Sequence, residues 1–277
     1  GRKAVTTVAC IQMASGPKVG ANLLEAERLI GVAVHKGASL VVLPENFAIM
    51  GKEESDKIAV RESPGDGPIQ EFLAQQAARH GIWLVGGTIP MQADADNKIL
   101  AACLLYDDKG RQVARYDKIH LFDVSVVGSD ENYTESDTIE AGTSAVVADT
   151  PFGRLGLAIC YDLRFPELFR EMVDQGMEIM ALPSAFTAIT GKAHWGVLVR
   201  ARAIENLCFV LAAAQGGYHY NGRETYGHSM IVDPWGQVMN ELATGSGLVC
   251  ADIDLERLRT IRRTFPCLEH RNSVFRS

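Results

Sequence analysis

The sequence predicts an α/β protein in which two sheets pack face to face with helices on the outside. Short β-branched runs alternate with segments of helical periodicity, a pattern typical of a largely buried sheet covered by helices. The second half of the chain also echoes the order of elements in the first half. Because no Pro- or Ser-rich linker separates the halves, we expect residues 1–277 to form a single domain with internal pseudo-symmetry.

The first half alternates strands and helices. In order, it is predicted to contain a strand at 6–12, a helix at 22–36, a strand at 40–43, a helix at 68–80 and a strand at 82–85. Gly37 ends the first helix, and Pro44 stops the second strand. The unbroken apolar run before Pro44 is expected of a strand that is covered on both faces.

Two hairpins and a long loop are predicted in the middle of the chain. Residues 100–106 and 111–116 flank a strong turn sequence, Asp-Asp-Lys-Gly, and residues 145–148 and 155–159 flank a second turn. Residues 121–142 are polar and irregular. A loop of this length within a compact domain is often functional.

The internal repeat is visible in three pairs of segments. Residues 36–45 resemble 175–184, and residues 82–87 resemble 208–213. The turn Asp-Asp-Lys-Gly has a counterpart in Asp-Pro-Trp-Gly at 233–236. Two similar halves of this kind predict two similar sheets, and the period is far too long for a solenoid.

Charge and cysteine usage exclude several classes of protein. The 27 Lys and Arg residues against 34 Asp and Glu give a net charge of −7, which argues against nucleic acid as the main partner. No apolar run has membrane-spanning length and no signal peptide is visible, so we expect a cytoplasmic protein without a membrane partner. The six cysteines form no Cys-x-x-Cys pair, which disfavours a structural zinc site. Five of the six are predicted to be core fillers.

Three reactive side chains stand where predicted strands end. Glu45 follows Pro44, where partial burial would raise its pKa toward that of a useful acid or base. Lys118 precedes the long loop, where it could stabilise an oxyanion. Cys160 ends an apolar strand and is followed by a predicted helix start, a strand–turn–helix elbow that would expose the sulfur. A helix N-terminus and a nearby lysine would both favour the thiolate of Cys160.

Each of these residues also has a purely structural interpretation. Glu45 could be a solvated loop residue, Lys118 a surface residue paired with Asp117, and Cys160 one more buried cysteine. His120 could be a base or a hydrogen-bonded structural histidine. Other catalytic patterns fail: the chain has no His-Glu-x-x-His, no phosphate-binding loop and no complete Gly-x-Ser-x-Gly.

Taken together, the motifs Leu-Pro-Glu ending at Glu45, Asp-Lys-Ile-His-Leu-Phe around Lys118 and Ile-Cys-Tyr-Asp-Leu-Arg-Phe-Pro-Glu around Cys160 resemble the nitrilase superfamily of carbon–nitrogen hydrolases. The resemblance covers essentially the whole chain. It implies a four-layer α-β-β-α sandwich, a Glu-Lys-Cys triad that hydrolyses non-peptide amides, a supporting Glu135, and no metal or organic cofactor. It also implies a homodimer or a larger homo-oligomer.

Segments of the second half resemble the branch of this superfamily that hydrolyses deaminated glutathione. The pocket would then bind an anionic small-molecule amide, with Tyr161, Arg164 and Phe186 as substrate-binding candidates and a locally cationic lining. Trp195, Lys192 and Arg202 are weaker candidates, and Lys192 departs from the Pro common in this branch. The alternatives are an omega-amidase acting on α-ketoglutaramate, a nitrilase acting on a small nitrile, and a non-catalytic interaction protein on the same scaffold.

Overall fold

A computed structural model describes residues 5–275. Its strands are β1 (Val5–Gln12), β2 (Leu40–Val42), β3 (Trp83–Val85), β4 (Ile89–Gln92), β5 (Ile99–Tyr106), β6 (Gln112–Asp117), β7 (Asp123–Ser125), β8 (Asn132–Thr134), β9 (Val147–Thr150), β10 (Gly153–Leu157), β11 (Ile179–Ala181), β12 (Phe209–Ala212), β13 (Gly216–Tyr218), β14 (Glu224–Tyr226), β15 (Ser229–Val232), β16 (Val238–Leu242) and β17 (Gly247–Asp254). Its α-helices are α1 (Val19–His35), α2 (Asp56–Ala59), α3 (Pro68–His80), α4 (Pro166–Asp174), α5 (Ala188–Thr190), α6 (Gly196–Asn206) and α7 (Leu255–Thr264).

The two large sheets share one topology, which confirms the predicted internal repeat. The first has the order β17-β1-β2-β3-β5-β4, with β6 also paired to β5, and the second has the order β16-β15-β12-β11-β10-β9. Strands β1, β2 and β3 are parallel, and so are β10, β11 and β12. In each sheet the third parallel strand pairs with an antiparallel neighbour. The segments that resemble one another in sequence therefore occupy equivalent strands.

The order of the layers follows from what the two faces of each sheet pack against. Val8, Val42 and Val85 of the first sheet share one core with Leu155 and Ile179 of the second sheet. The alternate residues of the same strands pack against the helices instead, because successive side chains of a strand point to opposite faces. Ala9, Val41 and Leu84 thus form a second core with apolar residues of α1 and α3. The fold is the predicted α-β-β-α sandwich, with α4 and α6 on the outer face of the second sheet.

Several predicted boundaries shift in the structure. Helix α1 begins at Val19, earlier than predicted, and Asn22 lies inside it with its side chain bonded to the backbone of Gly16 and the carbonyl of Ala48. The polar segment 121–142 is not wholly irregular, because β7 and β8 pair there as a short hairpin. A 3₁₀ turn, Glu135–Asp137, follows β8 and carries Glu135.

The cysteine prediction is correct only in part. Cys10, Cys103 and Cys208 are buried, as expected of core fillers, but Cys250 and Cys267 are partly exposed. Cys250 is on β17 at the edge of its sheet, where β17 has a paired strand on one side only. None of the helices within residues 5–275 has the length and apolar character needed to span a bilayer.

Candidate active site

The ends of three strands bring Glu45, Lys118 and Cys160 to one pocket. Glu45 follows β2, Lys118 follows β6 directly, and Cys160 lies shortly after β10. Strands β2 and β10 belong to different sheets, so the pocket lies where the two sheets meet at one end of the sandwich. The three side chains are 4%, 1% and 8% exposed respectively, which excludes a solvated loop for Glu45 and a surface position for Lys118.

Lys118 lies between two carboxylates. Its Nζ donates to Glu45 Oε2 at 2.9 Å and to Glu135 Oε1 at 2.8 Å. Burial alone would lower the pKa of Lys118, but the charges of Glu135 and Glu45 raise that pKa well above its usual value. Lys118 is therefore a fixed cation. The predicted alternative partner, Asp117, pairs with Arg115 instead.

The Cys160 backbone adopts a conformation that few residues other than glycine occupy. Its φ is 46°, and its N–H donates to the carbonyl of Pro183 at 2.9 Å. A 3₁₀ helix, Cys160–Arg164, begins at this residue. Sγ accepts a long hydrogen bond from Ala185 N at 3.5 Å. A positive φ in a residue other than glycine is strained, and such strain occurs where the surrounding structure fixes a functional residue. Here the strained residue is at the predicted elbow.

Lys118 lowers the pKa of Cys160 as predicted, but the net shift of that pKa is upward, so the expectation of a favoured thiolate is wrong. Burial raises the pKa of Cys160 above its usual value, and the neighbouring charge of Glu45 raises it further. Lys118 and the Ala185 N–H act in the opposite direction but do not compensate. Desolvation penalises the charged form more than one shared lysine can offset. The resting nucleophile candidate is a neutral thiol that needs a base.

A buried carboxylate that the sequence did not single out joins the cysteine elbow to the lysine strand. Asp162 accepts hydrogen bonds from Tyr116 Oη at 2.6 Å and from Ile159 N at 2.9 Å. Its other oxygen lies 2.7 Å from His120 Nδ1, and the His120 ring stacks on Phe165. His120 is therefore structural in this fold, and it does not line the pocket.

All seven predicted site residues line the same cavity of about 220 Å³: Glu45, Lys118, Glu135, Cys160, Tyr161, Arg164 and Phe186. Among the described residues, Arg164 forms no ion pair with its sequence neighbours Asp162 and Glu167. Its guanidinium lies 5.4 Å from the centre of the Phe186 ring and 3.1 Å from His194 Nδ1. Among residues 5–275, no cluster of three His, Cys, Asp or Glu side chains could hold a metal ion.

Two charged lining residues were missed, and they change the charge balance of the pocket. Glu54 and Arg223 also line it, so three carboxylates face three cations rather than a net cationic surface. Burial would raise the pKa of Glu54, but the charge and hydrogen bond of Lys57 lower it, with a smaller contribution from Arg223. The expectation of a locally cationic lining is therefore wrong for the pocket as a whole.

Three weaker candidates lie outside the pocket. Lys192 is exposed to solvent, and Arg202 donates its Nε to the carbonyl of Leu163 and an Nη to Glu205. Trp195 is buried in the core, with its indole N–H bonded to the carbonyl of His228. The periodicity and the residue types did not show which side chains of α6 and of the preceding π turn, Gly191–Trp195, face the pocket.

Comparisons with known proteins identify the family of the chain. The family model described as carbon–nitrogen hydrolase matches residues 7–263. A deaminated glutathione amidase of Synechocystis sp. is 44% identical over 266 residues, covering 95% of this chain and 97% of the relative. A deaminated glutathione amidase of Yersinia enterocolitica is 42% identical over 268 residues, covering 96% and 93%.

A solved structure is similar in the same way. The crystal structure of the C. elegans NitFhit protein matches with a TM-score of 0.91 and 37% identity, covering 100% of this chain and 67% of that protein. Sequence and structural similarity thus lead to one conclusion: the chain belongs to the carbon–nitrogen hydrolase family, the nitrilase superfamily of enzymes that act on non-peptide C–N bonds.

Proposed function

We propose that this chain hydrolyses deaminated glutathione to 2-oxoglutarate and cysteinylglycine through a thioester on Cys160. The observation that carries the proposal is the pocket in which Glu45, Lys118 and Cys160 lie together. The substrate is suggested by the relatives that bear this activity in their names. Water is the only other reactant, and the overall reaction breaks one C–N bond.

The first step needs a base, because the Cys160 thiol is neutral at rest. Glu45 accepts the thiol proton as Sγ attacks the amide carbonyl carbon. Glu45 is suited to this role because it is 4% exposed and is anchored to Lys118 at 2.9 Å. General base catalysis by a positioned carboxylate contributes roughly 10²- to 10⁴-fold to the rate.

The attack places negative charge on the former carbonyl oxygen. Lys118, held protonated by its two carboxylates, and the backbone N–H of Tyr161 stabilise this oxyanion. Tyr161 lies in the first turn of the 3₁₀ helix, where N–H groups lack partners within the helix. One such donor contributes roughly 10²- to 10³-fold to the rate. Glu135 holds Lys118 in place, and the backbone N–H of Phe122 in turn fixes Glu135 at 3.1 Å.

The intermediate collapses when Glu45 returns its proton to the departing nitrogen, which breaks the C–N bond and leaves an acyl thioester on Cys160. Glu45 then removes a proton from an incoming water, whose oxygen attacks the thioester. Collapse of the second intermediate expels Sγ, which recovers its proton from Glu45, and releases the free acid. Every proton is accounted for by Glu45 and water, so the proposed mechanism uses no cofactor.

Arg164 and Phe186 are proposed to bind the 2-oxo acid half of the substrate. Arg164 follows Cys160 by one turn of the same 3₁₀ helix, and its guanidinium packs over the Phe186 ring. A guanidinium fixed in this way is well suited to a carboxylate, because its planar fork donates two parallel hydrogen bonds. The acyl half stays on Cys160 after the first step, so its anchor should belong to the same element.

We also propose a homo-oligomer in the cytoplasm. Helix α6 exposes Val197 and Ile204, which are 71% and 48% accessible, and an exposed apolar helix face favours pairing with a second copy. The six free cysteines fit a reducing compartment. Light scattering of the wild type and of Val197→Asp tests the pairing, because a monomeric wild type would contradict it.

The decisive experiment compares kcat/KM for deaminated glutathione, α-ketoglutaramate and a simple nitrile. We expect the highest value for deaminated glutathione and measurable cysteinylglycine release. A higher value for α-ketoglutaramate would assign an omega-amidase, and turnover of the nitrile alone would assign a nitrilase. No turnover of any of the three, with no labelling of Cys160 by a thiol probe, would indicate a non-catalytic scaffold.

A further inference from the structure

Two arginines in the pocket lack carboxylate partners. Arg164 and Arg223 both line the cavity, and neither forms an ion pair within residues 5–275. The nearby Glu54 is already taken, because Lys57 Nζ lies 2.5 Å from Glu54 Oε1. Lys118 is likewise shared by Glu45 and Glu135. The pocket therefore holds two guanidinium groups that make no direct ion pair.

Arg223 is fixed close to the nucleophile. Its Nη2 donates to the carbonyl of Ala185 at 2.6 Å. The backbone N–H of Ala185 in turn donates to Cys160 Sγ at 3.5 Å. Its guanidinium lies 5.2 Å from the centre of the Tyr133 ring, so the ring supports one face of the group. These two contacts hold the guanidinium at the lining of the pocket.

One terminal donor of Arg223 has no acceptor. Nη1 makes no hydrogen bond to any described residue, whereas Nε is fully enclosed by protein atoms and out of reach of a ligand. An unpaired charged donor that lines a pocket is a reason to expect a ligand acceptor. A carboxylate can accept from Nη1 and from the remaining N–H of Nη2 through two parallel hydrogen bonds.

We infer that Arg223 binds a carboxylate on the leaving half of the substrate, so that the enzyme selects amides with a carboxylate on each side of the scissile bond. This inference rests on the proposed function, in which Arg164 binds the acyl half. The two arginines pack on different rings, Arg164 on Phe186 and Arg223 on Tyr133. A dianionic amide is thus held at both ends.

The position of Arg223 in the chain supports its assignment to the leaving half. Arg223 lies in the loop between β13 and β14, next to the exposed pocket residue Asn221. Because Asn221 is exposed, the pocket is open to solvent beside this loop, where the leaving amine can depart. Binding here also explains why deaminated glutathione, with its glycine carboxylate, would be preferred over α-ketoglutaramate, which releases ammonia.

The test compares deaminated glutathione with its C-terminal carboxamide in the wild type and in Arg223→Gln. For the free acid, we expect Arg223→Gln to lower kcat/KM by roughly 10- to 100-fold, as for a lost charge-assisted pair. The loss should appear mainly in KM, because the contact is made equally in the ground and transition states. For the carboxamide, the change should be less than about threefold.

Arg154→Gln is the matched control, because Arg154 also donates to a backbone carbonyl, that of Gln175, but lies outside the pocket. It should leave the acid-to-carboxamide ratio at the wild-type value. Equal losses for acid and carboxamide in Arg223→Gln would overturn the inference and leave the proposed function standing. A wild type that cleaves neither deaminated glutathione nor its carboxamide would overturn the proposed function, and this inference with it.

Discussion

Lys118 Nζ and Glu45 Oε2 lie 2.9 Å apart, although 73 residues separate them in the chain. The pair is almost wholly buried, and Glu135 completes it from the other side of the ammonium group. Burying one cation between two carboxylates costs desolvation free energy, which is offset only when the charged groups are well hydrogen-bonded. The arrangement therefore differs from an ordinary surface ion pair. It leaves one negative charge in excess beside the Cys160 thiol, as a base for that thiol requires.

Replacing Cys160 by alanine should lower the release of cysteinylglycine by more than ~10⁴-fold, because no other group can form the thioester. Cys208→Ala is the control, since Cys208 is also buried but lies outside the pocket. It should keep wild-type turnover apart from a modest loss of stability. Turnover by the Cys160→Ala variant within tenfold of wild type would remove the nucleophile assignment.

Glu45→Gln should lower kcat by roughly 10²- to 10⁴-fold, because the amide cannot accept the thiol proton. The side chain keeps its shape and can still accept from Lys118. Since deacylation also uses Glu45, mass spectrometry should detect an acyl adduct on Cys160 in this variant. Glu62→Gln is the control, because Glu62 is a buried glutamate outside the pocket whose carboxylate accepts from the backbone N–H groups of Ile69 and Gln70. Similar kcat losses in both variants would point to a structural effect.

Lys118→Met should reduce kcat by roughly 10²- to 10³-fold through loss of the oxyanion donor. It should also lower the free energy of unfolding by about 3–5 kcal/mol, because two carboxylates are left buried without their cation. Lys118→Arg separates the two effects. The arginine restores the positive charge, but its guanidinium group lies at a different position from the lysine ammonium. The free energy of unfolding should therefore recover more than kcat. Urea unfolding and steady-state kinetics measure both, and full recovery of kcat by arginine would contradict the positional role.

The triad and the fold could be predicted because both leave local signals. Helix α3 spans Pro68–His80 as predicted, since its proline and terminal glycine mark both ends. Glu45, Lys118 and Cys160 each stand at the end of a strand within a recognisable motif. Arg223 has no such signal: it lies in an ordinary polar turn, and only tertiary packing against Tyr133 and Ala185 makes it a pocket residue.

The protonation of the Cys160 thiol is a second property of the site that the local sequence does not determine. Strand, turn and helix start are local, and they correctly predicted an elbow. Whether the sulfur is ionised depends on how deeply distant segments bury it and on which carboxylates share its lysine. Pro183, Ala185 and Glu45 come from other parts of the chain and fix that environment. The pKa direction was therefore the part of the site least accessible from the sequence.

Asp162→Asn should weaken catalysis without touching the substrate. The carboxylate ties Tyr116, His120 and the backbone N–H of Ile159 together beneath the elbow. An amide nitrogen in place of one oxygen would leave a donor facing a donor, at a cost of about 1–3 kcal/mol in the free energy of unfolding. Because the elbow would lose its anchor, kcat should fall while KM changes little. An unchanged kcat in a destabilised variant would limit Asp162 to a structural role.

The buried thiols predict how stability depends on pH. Burial raises the pKa of Cys10, Cys103, Cys160 and Cys208 above the usual value of 9.0. Below pH 9 these thiols are protonated in both the folded and the unfolded chain, so they contribute no slope. Above pH 9 the unfolded chain releases their protons while the folded chain retains them, and the free energy of unfolding falls.

Each such thiol contributes up to about 1.4 kcal/mol per pH unit once the unfolded form is fully ionised. Urea unfolding under reducing conditions at pH 8, 9 and 10 measures the total slope. Cys208→Ala should make that slope shallower by the share of one thiol, although the variant starts from a lower stability at pH 8. An identical slope with and without the Cys208 thiol would mean that this group ionises as readily in the folded core as in the unfolded chain.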